Sequence, residues 1–126
     1  MTNILLVALG GGIGALTRYG VSLLAVNLFG PRFPWGTLAV NLVGCFLIGV
    51  ACALAERNSP WMPPAMSAFF VTGFLGGLTT FSTYAFETTR AAAAGDHASA
   101  LFNAAANNLL GLALVMLGVW LVRSRP

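Results

Sequence analysis

The stretch Gly73-Phe74-Leu75-Gly76-Gly77-Leu78-Thr79-Thr80-Phe81-Ser82-Thr83-Tyr84 lies inside an apolar run that starts near Ala65 and ends near Phe86. A helix needs about 20 such residues to cross a bilayer. Glycines weaken a helix, and Ser and Thr hydroxyls compete for its carbonyls. The run therefore predicts a spanning helix broken near Gly76 to Thr80, in mid-membrane. Non-helical backbone at that depth is tolerated only where it lines a cavity or is buried in protein. Freed carbonyls take cations and freed N–H groups take anions. An ion site and a simple kink are the two readings of such a break.

Composition supports a membrane setting for this stretch. The chain has 126 residues, of which 58% are hydrophobic and 7% charged. A soluble domain carries about 25% charged residues. Too few are present here to cover a water-facing surface, which excludes a small soluble enzyme, a disordered chain and a disulfide-rich module. Continuous apolar runs argue against a β-barrel, whose strands alternate.

Moving outward, the expected architecture is an all-α membrane protein with four spans, about 3–29, 36–55, 65–86 and 98–122. No basic residue precedes the first run, so it is expected to be a mature span rather than a signal peptide. Gly30 to Pro34, Glu56 to Pro60 and Gly95 to His97 read as turns. Trp61 and Trp120 suit the interfaces. Cys45 and Cys52 are seven residues apart on one helix and cannot bond to each other; they read as packing residues.

Net charge is +3. The arginines are scattered, mostly at span ends, and do not form a nucleic-acid patch. One side carries Arg57, Arg123 and Arg125, and the other Arg32 and Arg90, with Arg18 embedded in the first span. The positive-inside rule finds almost no bias in three against two. Insertion in both orientations, with pairing of inverted copies about a two-fold axis in the membrane plane, is one consequence. An orientation fixed by subtler signals is the other.

Polar residues deep in spans need partners. Asn41, Cys45 and Gly49 recur every four residues on one face of the second span. Asn41 reads equally as a helix-pairing residue and as a substrate contact. Asn103, Asn107, Gly111, Leu114 and Gly118 form a stripe on the fourth span, with Asn108 beside it. That stripe reads as the wall of a polar track or as helix pairing. Phe81 and Tyr84 are three apart and stack on one face. Aromatic edges carry partial positive charge and can line an anion path without trapping the ion; core packing is the plainer alternative. Glu87 sits one turn further, in reach of an ion pair with Arg90.

Gly10-Gly11-Gly12-Ile13-Gly14-Ala15 with Arg18-Tyr19, then Gly36-Thr37-Leu38-Ala39-Val40-Asn41-Leu42-Val43-Gly44, then Gly76-Gly77-Leu78-Thr79-Thr80-Phe81-Ser82-Thr83-Tyr84 and Glu87, resemble the CrcB/Fluc fluoride channels over nearly the whole chain. The resemblance implies a dual-topology antiparallel homodimer with two pores. It also implies a multi-pass protein of the cell inner (plasma) membrane that exports fluoride passively. A sodium ion on the dimer axis would be held by main-chain carbonyls of Gly76 and Thr79. Phe81 would meet fluoride by its ring edge and Asn41 would donate hydrogen bonds. Ser82, Thr83 and Glu87 would continue the track, and Arg18 would line an aqueous vestibule. Tyr84 departs from the commoner Phe. Asn103 and Asn107 rest on periodicity alone.

Fluoride is strongly hydrated, and neutral amide and hydroxyl donors can replace that water. A small proton-coupled multidrug-type exporter is a rival, but it needs an intramembrane carboxylate, and the first span has no Asp or Glu. A non-transporting assembly subunit is another. An enzyme is disfavoured: Asp96-His97 stands in a predicted turn without a nucleophile, metal cluster or phosphate loop, and the Gly10–Gly14 run lacks the context of a nucleotide loop.

Overall fold

The structure, a computed structural model, describes Thr2–Ser124. It is all-helical, with no strand among the described residues. Four helical segments are long and apolar enough to cross a membrane: Asn3–Phe29, Trp35–Glu56, Pro64–Ala93 and His97–Arg123. They are called the first to fourth spans below.

The turns follow from local chemistry. Gly30 and Gly95 adopt φ of 80° and 82°, the left-handed region that glycine enters without a Cβ penalty. The Gly30 N–H reaches back to the Val26 carbonyl at 2.9 Å and closes the first span. Asp96 starts the fourth span by accepting the Ser99 N–H at 3.1 Å. The expected Gly95 to His97 turn is therefore one residue too long, because His97 is already the first helical residue. The third span also outruns the apolar stretch, continuing from Phe86 to Ala93. A helix end in water needs no apolar run, and Glu87 to Arg90 are compatible with a polar final stretch.

The third span is not uniform. A short helix at Pro64–Ser67 widens into π-helix at Ala68–Leu75 and returns to α at Gly76–Leu78. Thr79 (φ −84°, ψ 153°) and Thr80 (φ −152°, ψ 116°) are extended, and helix resumes over Phe81–Ala93. The fourth span has its own π turn, Ala106–Leu110, between His97–Ala105 and Gly111–Arg123.

Two seams of small residues bring the spans together. Gly10 of the first span meets Gly73 of the third, Gly14 lies against the Phe74 and Leu78 backbone, and Gly77 lies against Gly11 and Ala15. A Cβ placed on Gly73 would stand 2.8 Å from the Val7 carbonyl oxygen and 3.0 Å from Gly10 Cα. This is the small-xxx-small packing of membrane helices, and it explains the glycine run without a nucleotide. On the other side, Gly49 lies against the Val115 backbone and Gly118 against Phe46 and Val50. A small core of Val40, Leu75 and Leu78 fills the middle.

The ends of the second and fourth spans are tied together. Arg57 donates to the Val122 carbonyl at 2.6 Å, and Arg123 pairs with Glu56 at 2.9 Å. Arg57 and Arg123 thus share one end of the molecule; Arg125 lies outside the described residues. At the opposite end Phe33 and Trp35 pack with centroids 4.6 Å apart, and Phe102 joins Phe33 at 5.4 Å.

Candidate functional site

The extended pair Thr79–Thr80 is held by one side chain. Asn41, on the second span, accepts the Thr80 N–H at 2.9 Å and donates back to the Thr80 carbonyl at 3.2 Å. Its amide thus pairs with both polar groups of one residue, as a neighbouring strand would. In an unbroken helix the Thr80 N–H would go to the Gly76 carbonyl. The Thr83 N–H would likewise go to Thr79, but it donates instead to the Thr80 hydroxyl at 3.3 Å, which caps the helix Phe81–Ala93. The carbonyls of Gly76 and Thr79 both lose their usual helical donors.

From Asn41 a chain of amides runs along the fourth span. Asn41 donates to Asn107 Oδ1 at 2.9 Å. Asn107 donates to the Asn103 carbonyl and side-chain oxygens at 3.0 and 2.9 Å. Asn103, only 2% exposed, donates to the Thr88 hydroxyl at 2.9 Å, and Thr88 passes its hydrogen to the Tyr84 carbonyl at 2.8 Å. The second, third and fourth spans are thereby cross-linked by neutral polar groups. The four-residue spacing of Asn103 and Asn107 on the fourth span sets these two side chains in line.

The remaining predicted residues surround this chain. Thr80 donates to Thr83 Oγ1 at 3.0 Å, and its hydroxyl lies 3.4 Å from that of Ser82. Phe81 and Tyr84 meet edge to face with centroids 5.4 Å apart, and Phe81 is 76% exposed on the single chain. Arg18 lines a cavity of about 200 Å³ with Ser22, Thr37, Thr80 and Thr83. A larger cavity of about 440 Å³ begins at Arg32 and Arg90 and reaches Ser22, Thr37, Glu87 and Asn103. Ser22 and Thr37 border both cavities.

Glu87 departs from the expected surface ion pair. Its Oε1 accepts from Thr37 at 2.9 Å, while the Arg90 guanidinium lies over the Phe86 ring, 5.8 Å from its centroid. Glu87 Oε2 is buried without a hydrogen-bond partner, and it is the one such side-chain atom among the described residues. The preference for Thr37 follows from the packing of the third span on the second, which turns Glu87 inward.

A family model described as CrcB-like protein, Camphor Resistance (CrcB), matches residues 5–119. The chain belongs to the CrcB family. Among curated proteins it is 46% identical to the "Fluoride-specific ion channel FluC" of Shewanella sp. (strain W3-18-1), over 99% of both chains. The same identity and coverage hold for the proteins of that name from Shewanella putrefaciens and Shewanella amazonensis.

Within this CrcB chain, Thr37, Thr88 and Asn108 escaped selection as site residues. Thr37 continues the Asn41, Cys45, Gly49 spacing by one step toward the N-terminus, so its place on that face was readable. Thr88 stands four residues beyond Tyr84 among polar residues that looked like a surface end. Asn108 is adjacent to Asn107 yet reaches a different span, donating to the Tyr84 hydroxyl at 2.8 Å. The π turn at Ala106–Leu110 underlies that placement, and no helical wheel at 3.6 residues per turn shows it.

Proposed function

We propose that this chain forms a fluoride channel that exports the ion passively from the cytoplasm. The observation that carries the reading is the full-length match to fluoride-specific channels, joined to an uncharged hydrogen-bonded path at membrane depth. A desolvated fluoride ion needs donors that are strong enough to replace water and weak enough to release it. Hydroxyls, amides and ring edges meet that requirement.

The pathway comprises Asn41, Phe81, Ser82, Thr83, Tyr84, Glu87, Asn103 and Asn107, with Arg18 in a vestibule that concentrates anions. The exposure of Phe81 and the cavity joining Arg18 to Thr83 support this assignment. Asn41 already uses both amide hydrogens within the chain, so fluoride reaching it trades places with an internal acceptor. The hydroxyls of Ser82 and Thr83 are nearer to being free.

The extended Thr79–Thr80 pair supports a third span broken in mid-membrane. The Gly76 and Thr79 carbonyls, deprived of their helical donors, suit a hard monovalent cation. A sodium ion there would raise the potential felt by an anion. One chain offers too few carbonyls for a full shell. A second, inverted copy in the same inner membrane would supply the rest, and the nearly even arginine distribution favours such pairing.

Purified protein in liposomes tests the function. Fluoride efflux is expected to follow an imposed membrane potential and to exceed chloride efflux greatly, with no need of a proton gradient. Liposomes that hold their fluoride would refute the channel, and flux that stops when the proton gradient is collapsed would favour a coupled exporter.

A further inference from the structure

We infer that Asn108 is a positioning residue for Tyr84, and that the Tyr84 O–H hydrogen is a fluoride donor whose direction Asn108 sets. The inference rests on the fluoride-channel reading and concerns which donor meets the ion.

Hydrogen-bond accounting carries it. Asn108 has two amide hydrogens. One donates to the Ala104 carbonyl and the other to the Tyr84 hydroxyl oxygen, both at 2.8 Å. Asn108 therefore has no donor left for an anion. The Tyr84 oxygen receives a hydrogen and keeps its own, and no acceptor for that hydrogen stands within reach among the described residues. A phenol that accepts one bond has its O–H swung away from the donor, so Asn108 points the hydrogen outward. Lipid supplies no acceptor at this depth. Water or an anion must take it.

The neighbours favour the anion. The Tyr84 ring meets Phe81 edge to face at 5.4 Å, which places the hydroxyl on the same helix face as the exposed Phe81 ring. The surrounding amides have spent their hydrogens: Asn41 on Thr80 and Asn107, and Asn107 on Asn103. Tyr84 is the aromatic in this group that retains an uncommitted O–H. Accepting a hydrogen from Asn108 also polarises the phenol and strengthens the bond it donates.

The experiment measures fluoride efflux from proteoliposomes against fluoride concentration, for wild type, Tyr84→Phe, Asn108→Ala and the double variant. Wild-type flux, present or absent, reports on the channel reading alone. Given wild-type flux, Tyr84→Phe is expected to raise the half-saturating fluoride concentration about tenfold, the loss of one hydrogen bond to a charged partner, with maximal flux changed much less. Asn108→Ala should shift it in the same direction by a smaller factor, and in the Tyr84→Phe background it should add nothing. The dimer peak in detergent checks folding for each variant. An unshifted half-saturation in Tyr84→Phe overturns the donor role. An Asn108→Ala effect that persists undiminished without the Tyr84 hydroxyl overturns the positioning role and leaves Asn108 as a packing residue. Should Asn108→Ala fail to fold, Asn108→Gln replaces it in the same cycle.

Discussion

Asn41 makes three hydrogen bonds from one amide, two of them to the backbone of Thr80. Aspartate has nearly the same shape but cannot donate. Asn41→Asp keeps the acceptor for the Thr80 N–H, leaves the Thr80 carbonyl and Asn107 Oδ1 facing a carboxylate, and adds charge where an anion would pass. Fluoride flux is expected to fall at least tenfold, and stability by about 1–3 kcal/mol, the usual cost of stranding buried polar groups. Efflux and a thermal melt in detergent read the two effects. Phe81→Ile should separate them. The ring is 76% exposed on the single chain, so its replacement is expected to leave the fold of each chain intact while lowering flux. Unaltered flux in both variants would mean that the path runs elsewhere. Arg18→Ala removes a cation from the cavity that reaches Thr83; throughput should drop without vanishing, and the drop should shrink at high salt, where charge is screened.

Among the helices, the third span depends on its second start. Thr80 caps Phe81–Ala93, accepting the Thr83 N–H and donating to Thr83 Oγ1. Thr80→Ala removes that cap and should cost about 1 kcal/mol; Thr80→Ser should recover most of it, as read by thermal melts. Asp96 plays the same part for the fourth span, outside the membrane. The bonds from Ser99 hold its carboxyl below the usual range. A carboxyl lowered on folding contributes stability above its unfolded value, near 3.9 for model peptides, and loses that contribution as pH falls through the lower folded value. Asp96→Asn keeps an acceptor and should flatten this acid limb of a stability–pH curve, measured by melting between about pH 2 and 5.

Much of the element layout was legible because it depends on residue type alone. Continuous apolar runs marked four helices, and Gly30 and Gly95 marked ends. The polar site was partly legible: four-residue spacing aligned Asn41 with its face and Asn103 with Asn107. Three features depended on tertiary packing and left no trace in spacing. Glu87 chose Thr37 over Arg90 because the second span lies against it. Asn108 reached Tyr84 through a π turn. The Asn41 amide paired with a residue 39 positions away in sequence.

Taken whole, the chain leaves a great deal of apolar surface uncovered. Leu16, Phe29 and Met116 are each more than 60% exposed, as befits side chains that meet lipid. The Phe81 face, by contrast, neighbours the exposed Asn108, and a polar amide makes a poor lipid surface. The inverted second copy proposed above would give that face a cover. Single cysteines placed at Asn58 and, separately, at Gly95, in a background lacking Cys45 and Cys52, should each react with impermeant reagent from both sides of the membrane. Labelling of each from one side only would remove dual insertion and leave the helical fold untouched.

The Asn41–Thr80 clasp has a bearing on motion. Two half-helices joined by a loose residue could swing and so act as a gate. Here the joining residue is bolted on both its polar edges to a neighbouring span, and the swivel is lost. Swinging one half-helix against the other therefore means breaking both of those bonds at once.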